Sequence, residues 1–462
     1  MQMIEDATAL AARIATGELS ALDATEAALS RIAGLDPQLN AFISVDAEGA
    51  RATARSLDDA RAKGAELGPL HGLPIAIKDV TATKGLRTTQ GSTLFAGHVP
   101  CEDALSVARL RDAGAVIIGK TNTPEFAFGA VCTNRLCGPT RNPWDPERTS
   151  GGSSGGSAVA VATGMVALAQ GTDFGGSVRM PASFCGIVGF RPAPGTIPEP
   201  DRPLGWGALA TQGVLARSLR DARLMLSAMA GPDPRDPLSC RATPVEPVPD
   251  RPLRLAASPD LGGAFPIDAE VAAAFAEALT AVEAVLGPTT VAAPQLDGAI
   301  EAFKTLRAAE SWFRSGAMVE AHAEALTPSF VWNVRQGRAI SAAEYLAAEA
   351  TRTRSWRAFS DFFRHQDLLV MPTCAVLPFP NARGEVLEVG GRQLGSIIDY
   401  LACTFLVSLV GFPALSIPAP RRAGALPFGL QLVVPPGREP MLWHVAERLE
   451  ASGFATICPG AV

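Results

Sequence analysis

Residues 72 to 121 run strand, helix, strand, and no other feature restricts the fold of this chain as strongly. GLPIAIKDV (72–80) is a short apolar run with a proline near its start, which predicts a buried strand. DALSVARLRDAG (103–114) opens on acids and stops at a glycine, which predicts a helix. AVIIGKT (115–121) predicts a second strand. This alternation points to an α/β core.

The rest of the chain extends the pattern. Stretches 4–32 and 46–64 are alanine-rich with apolar residues at helical spacing. LRLAASP (253–259), DLLVMPT (367–373), PALSIPA (413–419) and PFGLQLVV (427–434) predict further strands. SAVAVATGMVALAQG (157–171) is small and apolar nearly all round, and its length and alanine content predict a core helix. Tyr400 to Pro420 carries no charge, but Gly411, Pro413, Pro418 and Pro420 interrupt it. A buried helix followed by a buried strand is expected there, not a membrane span. YLAAEATRTRSWRAFSDFFRHQ (345–366) reads as a solvated amphipathic helix. GPTRNPWDPERTS (138–150) and the proline-rich stretch at about 231–252 read as loops. The second of these is taken as a surface connection within one domain spanning 1–462.

Charge and cysteine usage exclude some roles. The formal net charge is −6, which disfavours a nucleic-acid partner, because binding phosphates needs a basic face. The N-terminal MQMIEDATAL has acids early and no basic region ahead of an apolar core, so no secretory signal is expected. Eight cysteines (Cys101, Cys132, Cys137, Cys185, Cys240, Cys374, Cys403 and Cys458) form no C-x-x-C pair. No histidine cluster accompanies Cys132 and Cys137, so a zinc site is not expected. Free thiols in a reducing compartment, hence a cytoplasmic protein, are the expectation.

Two glycine–serine clusters carry the candidate chemistry, GGSSGGS (151–157) and GGS (175–177). The first has a P-loop frame, but Ser157 stands where that loop needs lysine. It also matches G-x-S-x-G twice, yet a proline-rich loop precedes it where a nucleophile elbow needs a strand. The five histidines, His71, His98, His322, His365 and His444, stand in no telling context. In the second cluster Gly175 and Gly176 leave backbone N–H groups unobstructed beside Ser177, so a nucleophile and an oxyanion nest coincide there. A serine nucleophile needs a base. Lys78 ends the apolar GLPIAIK, where burial would favour the neutral amine. Read singly, each glycine cluster is as well explained as a turn, and Lys78 as a solvated strand exit.

Together these segments resemble the amidase signature hydrolases. The matching stretches are GLPIAIKDV, GKTNTPEFAFG, GPTRNPWD, GGSSGGSAVAVATG, GTDFGGSVRMPASFCGIVGFRP, DLLVMPT and PALSIPA…PFGLQLV, in order over nearly the whole chain. The resemblance implies one α/β domain with a large mixed sheet covered by helices on both faces. Its signature core would lie at about 70–230, a variable helical segment at about 253–366 and core strands at about 367–462. It implies Ser177 as nucleophile, Ser153 on a cis peptide as proton relay and Lys78 as base. The backbone N–H groups of Phe174, Gly175, Gly176 and Ser177 match the oxyanion hole, while Asp173 and Arg179 brace the loop and Ser154 and Ser157 are structural. No metal or organic cofactor is implied. The expected partner is a small amide, with no nucleic acid and no membrane, and a homodimer as the family's common assembly.

Two departures matter. Many members carry Thr where this chain has Phe174, though only the backbone is used there. The amidase-type component of tRNA-dependent amidotransferases usually carries Gln where this chain has Met180. A stand-alone amidase is therefore expected, with a role like that of the glutamyl-tRNA amidotransferase A-subunit as the alternative. Residues at about 296–366 and the loop from Phe126 to Cys137 are expected to shape the acyl pocket. Phe126, Phe128, Phe174 and Trp312 are its candidate apolar lining.

Overall fold

Alternate residues of the core strands enter different hydrophobic clusters. Leu368 and Val370 join one cluster, while their neighbours Leu369 and Met371 join another. Side chains alternate across a strand, so a strand apolar on both faces needs cover on both. The computed structural model, which describes residues 5–240, 245–421, 424–456 and 459, shows that arrangement for the inner strands.

Eleven strands build the main sheet. They are β1 (Phe42–Val45), β2 (Pro74–Lys78), β3 (Val116–Thr121), β4 (Leu168–Asp173), β5 (Val188–Arg191) and β6 (Thr211–Ala216). They continue with β7 (Leu255–Ala257), β8 (Thr289–Val291) and β9 (Leu368–Pro372). A separate two-residue ribbon, β10 (Glu388–Val389) and β11 (Arg392–Gln393), precedes the last two, β12 (Ala414–Pro418) and β13 (Gly429–Val433). Their order is β1-β3-β2-β4-β6-β5-β12-β13-β9-β7-β8. Pairing is parallel for β2 with β3 and β4, and for β7 with β8 and β9. It is antiparallel elsewhere, so the sheet is mixed.

Helices cover both faces. Against one lie α1 (Ala7–Thr16), α2 (Ala21–Leu39), α3 (Ala47–Ala62), α4 (Leu105–Asp112) and α5 (Gly155–Ala162). After α6 (Arg179–Cys185), that face also takes α7 (Leu219–Met229) and α8 (Ala269–Leu286). The opposite cluster holds residues of α9 (Ala299–His322), of α11 (Ala342–His365) and of α12 (Ala402–Val410). Between α9 and α11, α10 (Pro328–Arg335) supplies Phe330 and Val334 to a small third cluster. Helix α13 (Glu439–Glu450) returns to the first face. Among the described residues no helix is long and apolar enough to cross a membrane.

One local expectation is refined and another changes. The stretch 4–32 is two helices, because Gly17 adopts φ +78° and Ser20 caps α2 by accepting from Asp23 N–H. The run 157–171 is not one core helix. Helix α5 stops at Ala162, Gly164 turns at φ +68°, and residues from Leu168 form β4. Small apolar side chains suit a buried helix and a buried strand alike, and pairing with β2 and β6 decides the matter. The uncharged Tyr400 to Pro420 stretch does form a buried helix and strand, α12 and β12. No helix or strand falls in 138–150 or in the described part of 231–252, whose residues 241–244 lie outside the description. Seven cysteines are free thiols, and Cys458 lies outside the described residues.

Candidate active site

The parallel pair β2 and β4 ends at one edge of the sheet, where α/β sheets commonly bind ligands. Lys78 is the last residue of β2 and is fully buried. Strand β4 delivers Thr172 and Asp173 beside it and leads into the Gly175–Ser177 turn. The GGSS loop enters from the other side, ahead of α5. Lys78 Nζ donates to Ser153 Oγ at 2.6 Å and to Thr172 Oγ1 at 2.8 Å. Ser153 is 1% exposed, and its peptide bond with Gly152 is cis. Ser154 N–H donates to the Ser177 carbonyl at 3.1 Å, which ties the two serine loops together. Ser177 is half-buried and shares a cavity wall with Ser153.

Burial pushes the Lys78 amine down to about 7, against the opposing pull of Cys132 and Asp173. A large neutral fraction therefore exists near neutral pH. Ser154 Oγ and Ser157 Oγ face away into the fold, donating to the Thr172 and Gln170 carbonyls at 3.3 and 3.0 Å.

The glycine turn is braced from below. Asp173 Oδ1 accepts from Gly176 N–H at 2.7 Å and from Arg179 Nη2 at 2.8 Å, and its Oδ2 from Val178 N–H at 3.1 Å. Burial alone would raise the Asp173 carboxyl. Arg179 and Arg191 outweigh it and hold the group well below the usual carboxylate range. Arg179 also reaches Gln431 Oε1 at 2.6 Å and Ser408 Oγ at 2.7 Å, which fixes the turn to β13 and α12. Gly176 sits at φ +123°, and a Cβ there would lie 2.2 Å from Thr404 Oγ1. Thr404 Oγ1 in turn donates to the Gly175 carbonyl at 2.6 Å. Of the four expected oxyanion donors, Gly176 N–H is thus already engaged by Asp173, and those of Phe174, Gly175 and Ser177 remain.

Above this floor opens a cavity of about 1090 Å³. Phe126, Phe128 and Phe174 line it, as the sequence suggested, and so do parts of 303–333. Trp312 does not. Phe303, Arg307, Glu310 and Arg314 share the cavity-facing side of α9, and Trp312 falls on the next side, packed over Gly316 and Gly337. None of the five histidines lines the cavity.

Sequence reasoning passed over Thr172 and Arg307. A buried lysine has three N–H donors to satisfy, which could have drawn attention to Thr172, close to Ser177 in GTDFGGS. Arg307 follows the apolar positions Ala302, Phe303 and Leu306, so it is an arginine at the margin of a buried stripe.

A sheet edge brings a buried lysine and two serine loops together under a cavity, an arrangement suited to a hydrolase, and the chain as a whole is similar to known proteins. The family described as Amidase matches residues 23–443. The chain belongs to the amidase signature family. It is 37% identical over 487 residues to the A-subunit of the glutamyl-tRNA(Gln) amidotransferase of Acidothermus cellulolyticus, covering 96% of this chain and 94% of that one. An acylamidase of Rhodococcus erythropolis is 34% identical over 463 residues, with the same shares covered. Among solved structures, a bacterial aryl acylamidase of the amidase signature family superposes with a TM-score of 0.89 at 25% identity, over 97% of this chain and 96% of that one.

Proposed function

We propose that the protein hydrolyses carboxylic acid amides, linear ones included, to a carboxylate and ammonia or an amine through an acyl-enzyme on Ser177. The observation that carries this is the buried Lys78 Nζ at 2.6 Å from Ser153 Oγ, with Ser153 and Ser177 on one cavity wall. The neutral Lys78 amine accepts the Ser153 proton as Ser153 accepts that of Ser177. Ser177 Oγ attacks the amide carbon, and the tetrahedral oxygen accepts from the N–H groups of Phe174, Gly175 and Ser177. The proton returns through Ser153 to the leaving nitrogen, and the C–N bond breaks. Water then uses the same relay to release the carboxylate. Asp173 and Arg179 act by holding the turn in shape. Free cysteines suit a cytoplasmic setting for this activity.

Labelling with a fluorophosphonate tests the assignment. Ser177 is expected to carry the label, and Ser177→Ala to abolish both labelling and turnover. Undiminished labelling of the Ser177→Ala protein overturns it.

The 37% identity to an amidotransferase component favours a second reading, the amidase-type subunit of a tRNA-dependent amidotransferase. Against it, the cavity wall presents the apolar Met180 where that subunit usually carries Gln. Ammonia or amine release from simple carboxamides by the purified chain alone supports the stand-alone enzyme. Activity only with a co-purifying tRNA-binding chain supports the second reading.

A further inference from the structure

The cavity holds an arginine that the proposed chemistry does not use. Arg307 lies one helical turn beyond Phe303 on α9, about 6 Å along the axis. Phe303 itself packs against the glycine turn: a Cβ on Gly175 would lie 3.2 Å from its Cζ. Its ring also meets that of Phe174 edge-on at 5.9 Å between centroids. Arg307 therefore lines the same cavity as Ser177 while remaining off the relay.

Its surroundings are unusual for a cation. The guanidinium lies over the Phe128 ring, 5.1 Å from the centroid, and Nη1 donates to Asn333 Oδ1 at 2.8 Å. Among the described residues no carboxylate pairs with it, and burial alone pushes it down to about 10. Of the other arginines at or beneath the cavity, Arg135 is exposed and donates to the Ala325 carbonyl at 3.1 Å, and the rest meet carboxylates. Arg179 and Arg191 share Asp173, Arg202 pairs with Glu199, and Arg314 pairs with Glu310. Glu125 accepts from Ser92 and Thr327. The acids left over, Asp201 and Glu385, are exposed at the rim.

A guanidinium set over a ring, with one hydrogen bond, to Asn333, among the described residues, matches a carboxylate in shape and charge. Arg307 is half-buried, and leaving such a cation without an anion carries a cost that an incoming carboxylate relieves. We propose that the amide substrate carries a carboxylate and that Arg307 binds it, with Phe128 and Asn333 holding the guanidinium in place. The inference rests on the amidase reading above and narrows its substrate class.

Matched pairs of amides test it. Glutaric acid mono-4-nitroanilide is compared with pentanoyl-4-nitroanilide, which places the acid on the acyl side. N-butyryl-4-aminobenzoate is compared with butyranilide, which places it on the amine side. In one pair the acid is expected to exceed its neutral partner at least tenfold in kcat/KM. Arg307→Met is expected to reduce that ratio by tenfold or more, and Arg307→Lys by less. Reading a ratio cancels any general loss from poor folding. Without any variant, glutarate is expected to inhibit the native enzyme competitively well below the concentration at which pentanoate does. Turnover of amides with no acid preference in either pair overturns this inference and leaves the amidase reading standing. An unchanged ratio in Arg307→Met, or equal inhibition by the two acids, also overturns it. No turnover of any amide, together with an unlabelled Ser177, overturns both.

Discussion

Lys78 and Lys120 stand on neighbouring parallel strands. Ile77 pairs with Lys120 and Lys78 pairs with Thr121, so the two lysines leave the sheet on opposite faces. Both are fully buried. Burial lowers both amines, Lys78 to about 7 and Lys120 to about 8. They differ in what receives their N–H groups. Lys120 Nζ donates to the Thr81 carbonyl at 2.5 Å and to the Thr83 and Thr88 hydroxyls at 2.9 Å each. Among the described residues Lys78 Nζ meets two hydroxyls and no carbonyl. A carbonyl only accepts, so it demands an N–H from Lys120. A hydroxyl can also donate, so Ser153 can give its proton to a neutral Lys78. Burial is thus common to both, and in the proposed mechanism the partner's capacity to donate separates a base from a strut.

Substitutions that exchange these roles would break the comparison. The largest effect is expected for Lys78→Ala, a loss in kcat/KM on the order of 10⁴-fold or more. Its melting temperature at pH 7 is expected to hold or rise, because a buried amine that must shed its proton is removed. Steady-state kinetics beside thermal unfolding check both halves. A parallel fall in stability would make Lys78 a second strut.

The next effect is pH dependence. A base with a pKa of about 7 must be neutral to work, so kcat/KM should fall tenfold per pH unit below 7 and level off above it. Stability carries the matching sign. The folded pKa of Lys78 lies below its unfolded value, so this residue's penalty is fully present below pH 7 and is relieved as pH rises towards 10.5. A pH–rate profile flat from 5 to 9 removes the neutral-lysine base.

The smallest expected effect on rate belongs to Lys120→Met. Three acceptors lose their donor and a cavity opens, which costs on the order of 3 kcal/mol. Activity per folded molecule should change only a few-fold. Denaturant unfolding with active-site titration separates the two quantities.

The same two lysines mark how far the sequence can be read. GLPIAIK and AVIIGK are alike as patterns: a short apolar run ending in lysine. Nothing in either run tells base from strut. The distinguishing groups, Ser153 for one and Thr81, Thr83 and Thr88 for the other, lie elsewhere along the chain, and folding alone juxtaposes them. Lys78 stands out only through its resemblance to a family motif. Ser177 is easier, since Gly175 and Gly176 stand beside it in the chain. Gly176 still misleads, because its N–H looks free in the sequence, whereas Asp173 holds it in the fold. The α/β architecture is legible because strand 72–80, helix 103–114 and strand 115–121 are short, distinct and well bounded. The stretch 157–171 is not, since the signal separating helix from strand there is its sheet neighbours. Trp312 and Arg307 show the same limit within one helix, where a residue or two more or less decides which side meets the cavity.

Helices α9 and α10 close over the cavity; the end of α9, the turn after it and α10 share a small apolar cluster, Val319, Leu326, Phe330 and Val334, while the start of α9 belongs to a cluster that flanks the sheet. The outer end of this canopy can be redrawn with little disturbance below, whereas its inner end, where Phe303 stacks on Phe405 at 4.2 Å between ring centroids, is fastened to the floor it covers.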